Sequence, residues 1–313
     1  MAQRQLLGRK FHDCVNGMRK FFIDRGYIEV HTQSSKSILA ACEDPKTIAT
    51  YKYENQIWPL PQTGQMWLEH VLLDLHKEDK DITGCFTVST SYRNEPNPEP
   101  GRHEKIFPMF EFESIGNMND LINTEKDLLT HLGFPKKYQV MALESSSDKF
   151  DYSGDNNNNK SDVWAAKEND YKEIDYASAL KKYGVSELDN EHEKMLCEDY
   201  GEVVLLKNFP IETSPFWNMK MDTNNKTANK VDVLLHGMET IGSAERSCDT
   251  FEMREMFNTI SNGEYKNVLY ENFGDVRVNK ELEDFLKKDF FPRFGAGVGV
   301  TRMIRAMELS DLI

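Results

Sequence analysis

SYRNEPNPEPGRHEKIFPMFEFES, residues 91–114, carries β-compatible sequence on each side of a proline-rich interruption. Upstream, residues 85–92 (CFTVSTSY) alternate apolar and polar side chains, the period of a strand with one buried face. Downstream, residues 107–113 (FPMFEFE) resume that composition after Pro96, Pro98, Pro100 and Gly101. The stretch reads as a β-hairpin with a long tip loop. Arg93 and Glu95 leave the first strand two apart, on one face, and Arg102 and His103 stand at the loop's return. An ordinary hairpin with a charged solvent edge would look the same.

A second stretch, FGAGVGVTRMIRA at residues 294–306, shifts that balance. Gly295, Gly297 and Gly299 alternate, so a strand here is bare on one face and lets a ligand or another backbone approach closely. Helical composition follows over 300–309, with Met303, Ile304 and Met307 at core spacing. That places Arg302 in a first helical turn, beside amides suited to an anion. Alone, a glycine-alternating strand is more often a packing device. Taken with Arg93, it points to an ATP site. A carboxylate attacking the α-phosphate of ATP brings negative charge towards a negative triphosphate, and fixed cations must offset it. At about 4 Å and an effective dielectric near 20, each arginine contributes roughly 4 kcal/mol of gross attraction. Its planar fork grips phosphate oxygens in pairs and stays charged at any working pH.

On these residues the chain resembles the class II aminoacyl-tRNA synthetases over nearly its whole length. The hairpin is similar to their motif 2, with Arg93 and Glu95 in its Arg-x-Glu and Phe107 where the family's phenylalanine stacks on adenine. Residues 295–302 resemble motif 3. Residues 6–25 and 26–30 are similar to motif 1, a long helix leading into a strand, with Gln33 where the family usually has proline. Residues 62–69 (QTGQMWLE) look like the amino-acid-binding segment of the aspartyl, asparaginyl and lysyl branch. Leu68 and Glu69 are nearer the asparaginyl form, because the aspartyl form has a lysine at the position of Leu68. Residues 231–247 (VDVLLHGMETIGSAERS) resemble the branch's metal and substrate strands, with Ser243 in place of its second glycine. Residues 213–220 (TSPFWNMK) resemble its pocket-lining turn, where Phe216 and Trp217 shape the cavity; plain core is an equal reading of those aromatics. Ile106 departs from the acid that usually precedes the stacking phenylalanine.

The resemblance implies an α+β fold, a mostly antiparallel β-sheet flanked by helices, with ATP and Mg²⁺ as cofactors. It assigns Arg93 and Arg302 as catalytic, Glu95 and Phe107 to adenine, and Arg102, His103 and Arg302 to the outer phosphates. Gly299 and Glu239 complete the nucleotide site. Gln62, Gln65 and Arg246 fall to the amino acid, and Glu239 is the metal-coordinating acid. Spacing supplies a second metal acid. If residues 231–235 and 238–242 pair about a tight turn at His236 and Gly237, residue 234 lies opposite Glu239 and Asp232 is its same-face diagonal neighbour. Two carboxylates and phosphate oxygens suit Mg²⁺, whereas two solvated acids on an edge is the plainer reading. His103 and His236 have no second histidine at ligand spacing, which argues against a histidine metal site. No covalent nucleophile or obligatory base is required, because the attacking carboxylate is already ionised.

The 313 residues are 39% hydrophobic with net charge −14. Such a chain buries a sizeable core, and a single catalytic domain over 1–313 is expected, with a mobile loop at 145–162 (SSSDKFDYSGDNNNNKSD). No segment is apolar enough to span a membrane, and the start has no signal-peptide hydrophobic stretch. Cys14, Cys42, Cys85, Cys197 and Cys248 show no paired spacing, so reduced thiols and a cytoplasmic location are expected. Residues 174–183 and 187–200 read as helices joined by Gly184, and 203–209 as a buried strand.

The acidic balance argues against a long nucleic-acid track, leaving a tRNA acceptor end to a local patch. Leu7, Phe11, Cys14, Val15, Met18, Phe21 and Phe22 recur at helical spacing, so the first helix begins almost at residue 1. That leaves no room for the nucleic-acid-binding barrel that precedes it in tRNA-charging members, and no anticodon-binding domain is expected. On this ground an asparagine synthetase comes first: aspartate is adenylated and passed to ammonia, giving asparagine, AMP and pyrophosphate, as in archaeal-type asparagine synthetases. A minimal asparaginyl- or aspartyl-type aminoacyl-tRNA ligase, or an aminoacyl transferase to another acceptor, comes second. A non-catalytic ATP-binding paralogue comes last. A homodimer is expected.

Overall fold

The computed structural model describes residues 8–33, 35–39, 47–99, 101–136, 170–213, 215–222 and 224–313. The expected loop at 145–162, Cys42 and the first residues of the motif 1-like segment lie outside them. The strands in chain order are β1 (Ile28–Glu29), β2 (Thr50–Tyr53), β3 (Gln56–Pro59), β4 (Gly84–Tyr92), β5 (Ile106–Ile115), β6 (Lys172–Asp175), β7 (Val203–Pro210), β8 (Met221–Asp222), β9 (Thr227–Leu235), β10 (Met238–Arg246) and β11 (Arg293–Gly299). Apart from the β2–β3 hairpin, they form one sheet in the order β1-β4-β5-β11-β10-β9-β7-β6, with β8 on the end of β9. Among the described residues only the outermost pairs, β1 with β4 and β6 with β7, run parallel. The α+β, mostly antiparallel expectation holds.

Alternation along the strands sorts the chemistry onto two faces. On β5, Phe110 and Phe112 turn to one side and Glu111 and Glu113 to the other. On β11, Phe294, Ala296 and Val298 join the phenylalanine side and leave the glycines opposite. The apolar side is covered by helices Gly8–Ile23, Met118–Leu132 and Val300–Leu309. Phe22 lies 4.6 Å from Phe112 and 5.4 Å from Phe110, ring centre to ring centre. Each such buried ring contributes about 1.5–3 kcal/mol. A second cluster lies around Trp217 and helices Thr250–Thr259, Glu264–Phe273 and Asp275–Leu286.

The motif 2-like hairpin forms as read, with Ser91 opposite Phe107 and the tip running from Arg93 to Lys105. Helix Val300–Leu309 begins immediately after β11 and buries Met303, Ile304 and Met307. The β9–β10 turn places His236 (φ 48°) and Gly237 (φ 74°) in the left-handed region, as a two-residue hairpin of this twist requires. One reading is corrected. Residues 172–175 form β6, paired with β7, and the two helices start later, at Tyr176 and Asn190. The strand there is too short for its periodicity to register.

Candidate active site

The glycine face of the sheet floors a cleft of about 550 Å³. Arg93 and Glu95 reach it from the end of β4, Arg102 and His103 from the tip loop, and Phe107 from the start of β5. Arg302 enters from the first turn after β11, above Gly299. Asp232 and Glu239 line it from β9 and β10, Arg246 from the far end of β10, and Gln62 and Gln65 from the turn before helix Gln65–Glu78. The sequence-predicted residues thus face one cavity.

The end of the cavity lined by Arg93, Arg102 and Arg302 is assembled by contacts between the hairpin loop and the glycine strand's helix. Arg302 Nη1 donates to the Glu239 carbonyl at 2.6 Å and Nη2 to the Arg102 carbonyl at 3.4 Å. The Arg93 guanidinium lies 5.5 Å from the centre of the Phe107 ring. His103 Nδ1 is 3.1 Å from Glu95 Oε2. Arg102 Nη2 donates to Glu193 Oε2 at 2.6 Å, a partner 91 residues away with no sequence signal of its own.

The other end is a buried ionic layer. Arg246 Nη2 donates to Glu113 Oε1 at 2.6 Å, and its Nε stands 3.8 Å from Glu69. Arg293 grips Glu69 Oε2 with Nη2 at 2.7 Å and Nε at 3.0 Å, and Asn218 Nδ2 donates to Glu69 Oε1. Glu111 accepts the Gly64 amide at 2.9 Å and the Thr63 hydroxyl, which fixes the turn carrying Gln62 and Gln65. Burial pushes the Glu113 carboxyl up to about 7, with Arg246 pulling it back down. Gly295 is needed for this layer. A Cβ there would lie 1.9 Å from Glu113 Oε1, so the bare floor admits a carboxylate of the protein at this point, and at Gly297 the Met109 side chain.

Two carboxylates converge further along. Glu239 pairs with Leu234 as expected, but a bulge after it sets Asp232 opposite Gly242. A Cβ on Gly242 would meet Glu239 Oε1 at 3.0 Å and Asp232 Oδ1 at 3.7 Å, so both acids hang over one glycine. Lys230 reaches the same spot, its ammonium 3.0 Å from Asp232 Oδ2. Among the described residues no group of three or more His, Cys, Asp or Glu is arranged to hold a metal, so any ion here would draw its remaining ligands from phosphate and water. His236 instead bonds Ser310 at 2.8 Å. Phe216 lines the cleft, whereas Trp217 is fully buried between Phe257 and Phe285. Cys14, Cys85, Cys197 and Cys248 are free thiols.

Residues 3–313 match the family of class II tRNA synthetases (D, K and N). The chain belongs to that family. The asparagine-tRNA ligase of Hahella chejuensis is 27% identical over 267 residues, 78% of this chain and 50% of that protein. The Mycoplasma genitalium asparagine-tRNA ligase is 28% identical over 246 residues, 70% of this chain and 49% of its own length. The chain spans about half the length of the curated relatives it matches. Among solved structures, Pyrococcus horikoshii asparaginyl-tRNA synthetase with asparaginyl-adenylate superposes with a TM-score of 0.69 at 18% identity, over 95% of this chain and 64% of that one. A putative aspartyl-tRNA synthetase from Leishmania major gives 0.70 at 16%, over 95% and 61%. These relatives favour the second of the acceptor readings over the first. They carry the name of the tRNA ligase, and ammonia finds no support among them. With half of the relatives' length matched, the position of the first helix no longer argues against tRNA.

Proposed function

We propose that this synthetase activates asparagine with ATP, forming asparaginyl-adenylate and pyrophosphate, and that the acceptor of the aminoacyl group is tRNA. The observation that carries the adenylation is the single cleft holding Arg93, Arg102 and Arg302 at one end and Arg246 at the other. The triphosphate meets three guanidinium groups where charge develops, and the amino acid lies over the Gln62 and Gln65 turn with its side chain towards Arg246. The charge balance of that inner layer favours the amide. Arg246 and Arg293 stand against Glu69, Glu111 and Glu113, two cations to three carboxyls, all buried. Burial already pushes the Glu111 and Glu113 carboxyls towards their neutral forms, so the layer has no cation to spare for the further carboxylate an aspartate would bring, whereas an asparagine offers a neutral acceptor and donor.

Mg²⁺ belongs to this reading. The convergence of Asp232 and Glu239 over Gly242 fits an ion shared with phosphate oxygens, which would neutralise charge on the triphosphate. A homodimer and a cytoplasmic location are carried with the same proposal; no helix among the described residues is long and apolar enough to cross a membrane. The test is ATP–pyrophosphate exchange across the amino acids, then turnover with total tRNA and, separately, with ammonia. Exchange with asparagine and transfer to tRNA is the expected result. Asparagine made from aspartate and ammonia without tRNA would reverse the acceptor, and exchange with no amino acid would overturn the function.

A further inference from the structure

Helix Asn190–Tyr200 sends a carboxylate into the nucleotide end of the cleft that the reading above leaves without a role. The start of this helix is fixed by a capping box, in which the Asp189 side chain accepts from the His192 amide and the His192 ring returns to the Asp189 amide. Residue 193 is therefore held in the first turn, facing the cleft. Glu193 Oε2 accepts from Arg102 Nη2 at 2.6 Å and from the Glu239 amide at 3.3 Å. Side-chain exposure is 9% at Arg102 and 19% at Glu193, so water screens this contact little. Asn190 Nδ2 donates to Glu99 Oε2 at 2.9 Å, and the helix thereby grips the tip loop at a second point.

We propose that Glu193 is a positioning residue for the triphosphate, one carboxylate fixing both the guanidinium of Arg102 and the segment of β10 that bears Glu239. This rests on the proposed ATP site. The tip loop between β4 and β5 is long and lies outside the sheet, and an arginine on such a loop loses backbone and side-chain freedom when it meets a phosphate. Glu193 imposes that order before ATP arrives. A guanidinium has five N–H donors and this bond uses one, so Arg102 keeps donors for phosphate while anchored from behind. The Glu193 charge does not repel the incoming phosphates at full strength, because the Arg102 cation lies in direct contact with it.

The experiment is calorimetric titration of Mg·ATP into the full chain, with Glu193→Gln, Glu193→Ala, Arg102→Ala and the Glu193→Ala/Arg102→Ala double variant. Thermal melting of each and the exchange KM for asparagine are read alongside. Glu193→Gln and Glu193→Ala should weaken ATP binding by about tenfold to a hundredfold. The asparagine KM and melting temperature of the isosteric Glu193→Gln should stay near those of the parent. In the Arg102→Ala background the loss of Glu193 should cost clearly less than in the parent, since the part of its effect that passes through that arginine is already gone and only its hold on the Glu239 amide remains. Unaltered ATP affinity in Glu193→Gln, or full additivity in the double variant, overturns the inference while leaving the ATP site standing. A parent chain that binds no Mg·ATP overturns the function and this inference together.

Discussion

At the scale of single residues, the two ends of the cleft respond differently to the same truncation. Arg93 lines an open region beside Phe107. Arg93→Ala should lower ATP–pyrophosphate exchange at least about a hundredfold, because the contact acts where charge develops, and should leave the melting temperature unchanged. Retained exchange would remove Arg93 from the site. Arg246 is fully enclosed against Glu113 and Glu69. Arg246→Ala strands the buried Glu113 carboxyl, while Glu69 keeps Arg293 and Asn218, and should cost about 3–5 kcal/mol of stability as well as activity, measured by urea unfolding. A change under about 1 kcal/mol would mean that water reaches the layer. Sequence made the arginines and the glycine floor legible, since each sits at a readable position in a strand or first turn. It also carried an unused signal: the alternation that buries Phe110 and Phe112 turns Glu111 and Glu113 towards the cleft, and Arg293 shares a face with the glycines. Glu193 and Lys230 left no such trace, because their roles depend on partners brought together only by the fold.

At the scale of elements, legibility followed length and period. The β4–β5 and β9–β10 hairpins and the helix after β11 announce themselves through alternation, turn residues and core spacing, whereas four-residue β6 is defined only by its pairing with β7. The bulge in β10 was equally hidden, since it follows from the sheet's geometry and not from a local residue preference. Helix Met118–Leu132 adds a feature that no motif marks. Its Glu125 is fully buried behind the strands bearing Asp232 and Ser243. Burial pushes this carboxyl up to about 8, the Ser243 hydroxyl opposing and the Asp232 charge reinforcing the rise. A carboxyl with a raised folded pKa favours the fold fully below its unfolded pKa, and that contribution is lost as pH rises through the folded value. Stability should therefore fall between about pH 4.5 and 8, by on the order of 5 kcal/mol from this group if nothing relaxes. Glu125→Gln keeps the shape and cannot ionise. Its urea midpoint should match the parent at about pH 4, exceed it increasingly up to about pH 8 and by a constant margin above that; parallel curves would show that Glu125 titrates normally.

At the scale of the whole molecule, the ionic layer lies between two apolar clusters, and this bears on how the chain unfolds. One cluster holds the sheet to helices Gly8–Ile23, Met118–Leu132 and Val300–Leu309; the other gathers the helices around Trp217. Glu69 on helix Gln65–Glu78, Arg293 on β11 and Asn218 beside Trp217 join them through hydrogen bonds that are all buried. Opening the seam would leave Glu69, Arg293 and Glu113 partly unpaired in a poorly hydrated setting, at a cost of several kcal/mol. Separate melting is thereby disfavoured. Tryptophan fluorescence of a variant with Trp58, Trp67 and Trp164 changed to phenylalanine, which reports Trp217 alone, and far-ultraviolet circular dichroism, which samples the sheet and helices together, should give coincident urea transitions despite the chain's size. Saturating asparagine with Mg·ATP should move both midpoints upward together, by about 2.7 kcal/mol at a hundredfold excess over Kd. Fluorescence changing well before the dichroism, or a ligand shift confined to one probe, would mean that the Trp217 cluster is an independent unit and that the buried ionic layer does not bind the two together.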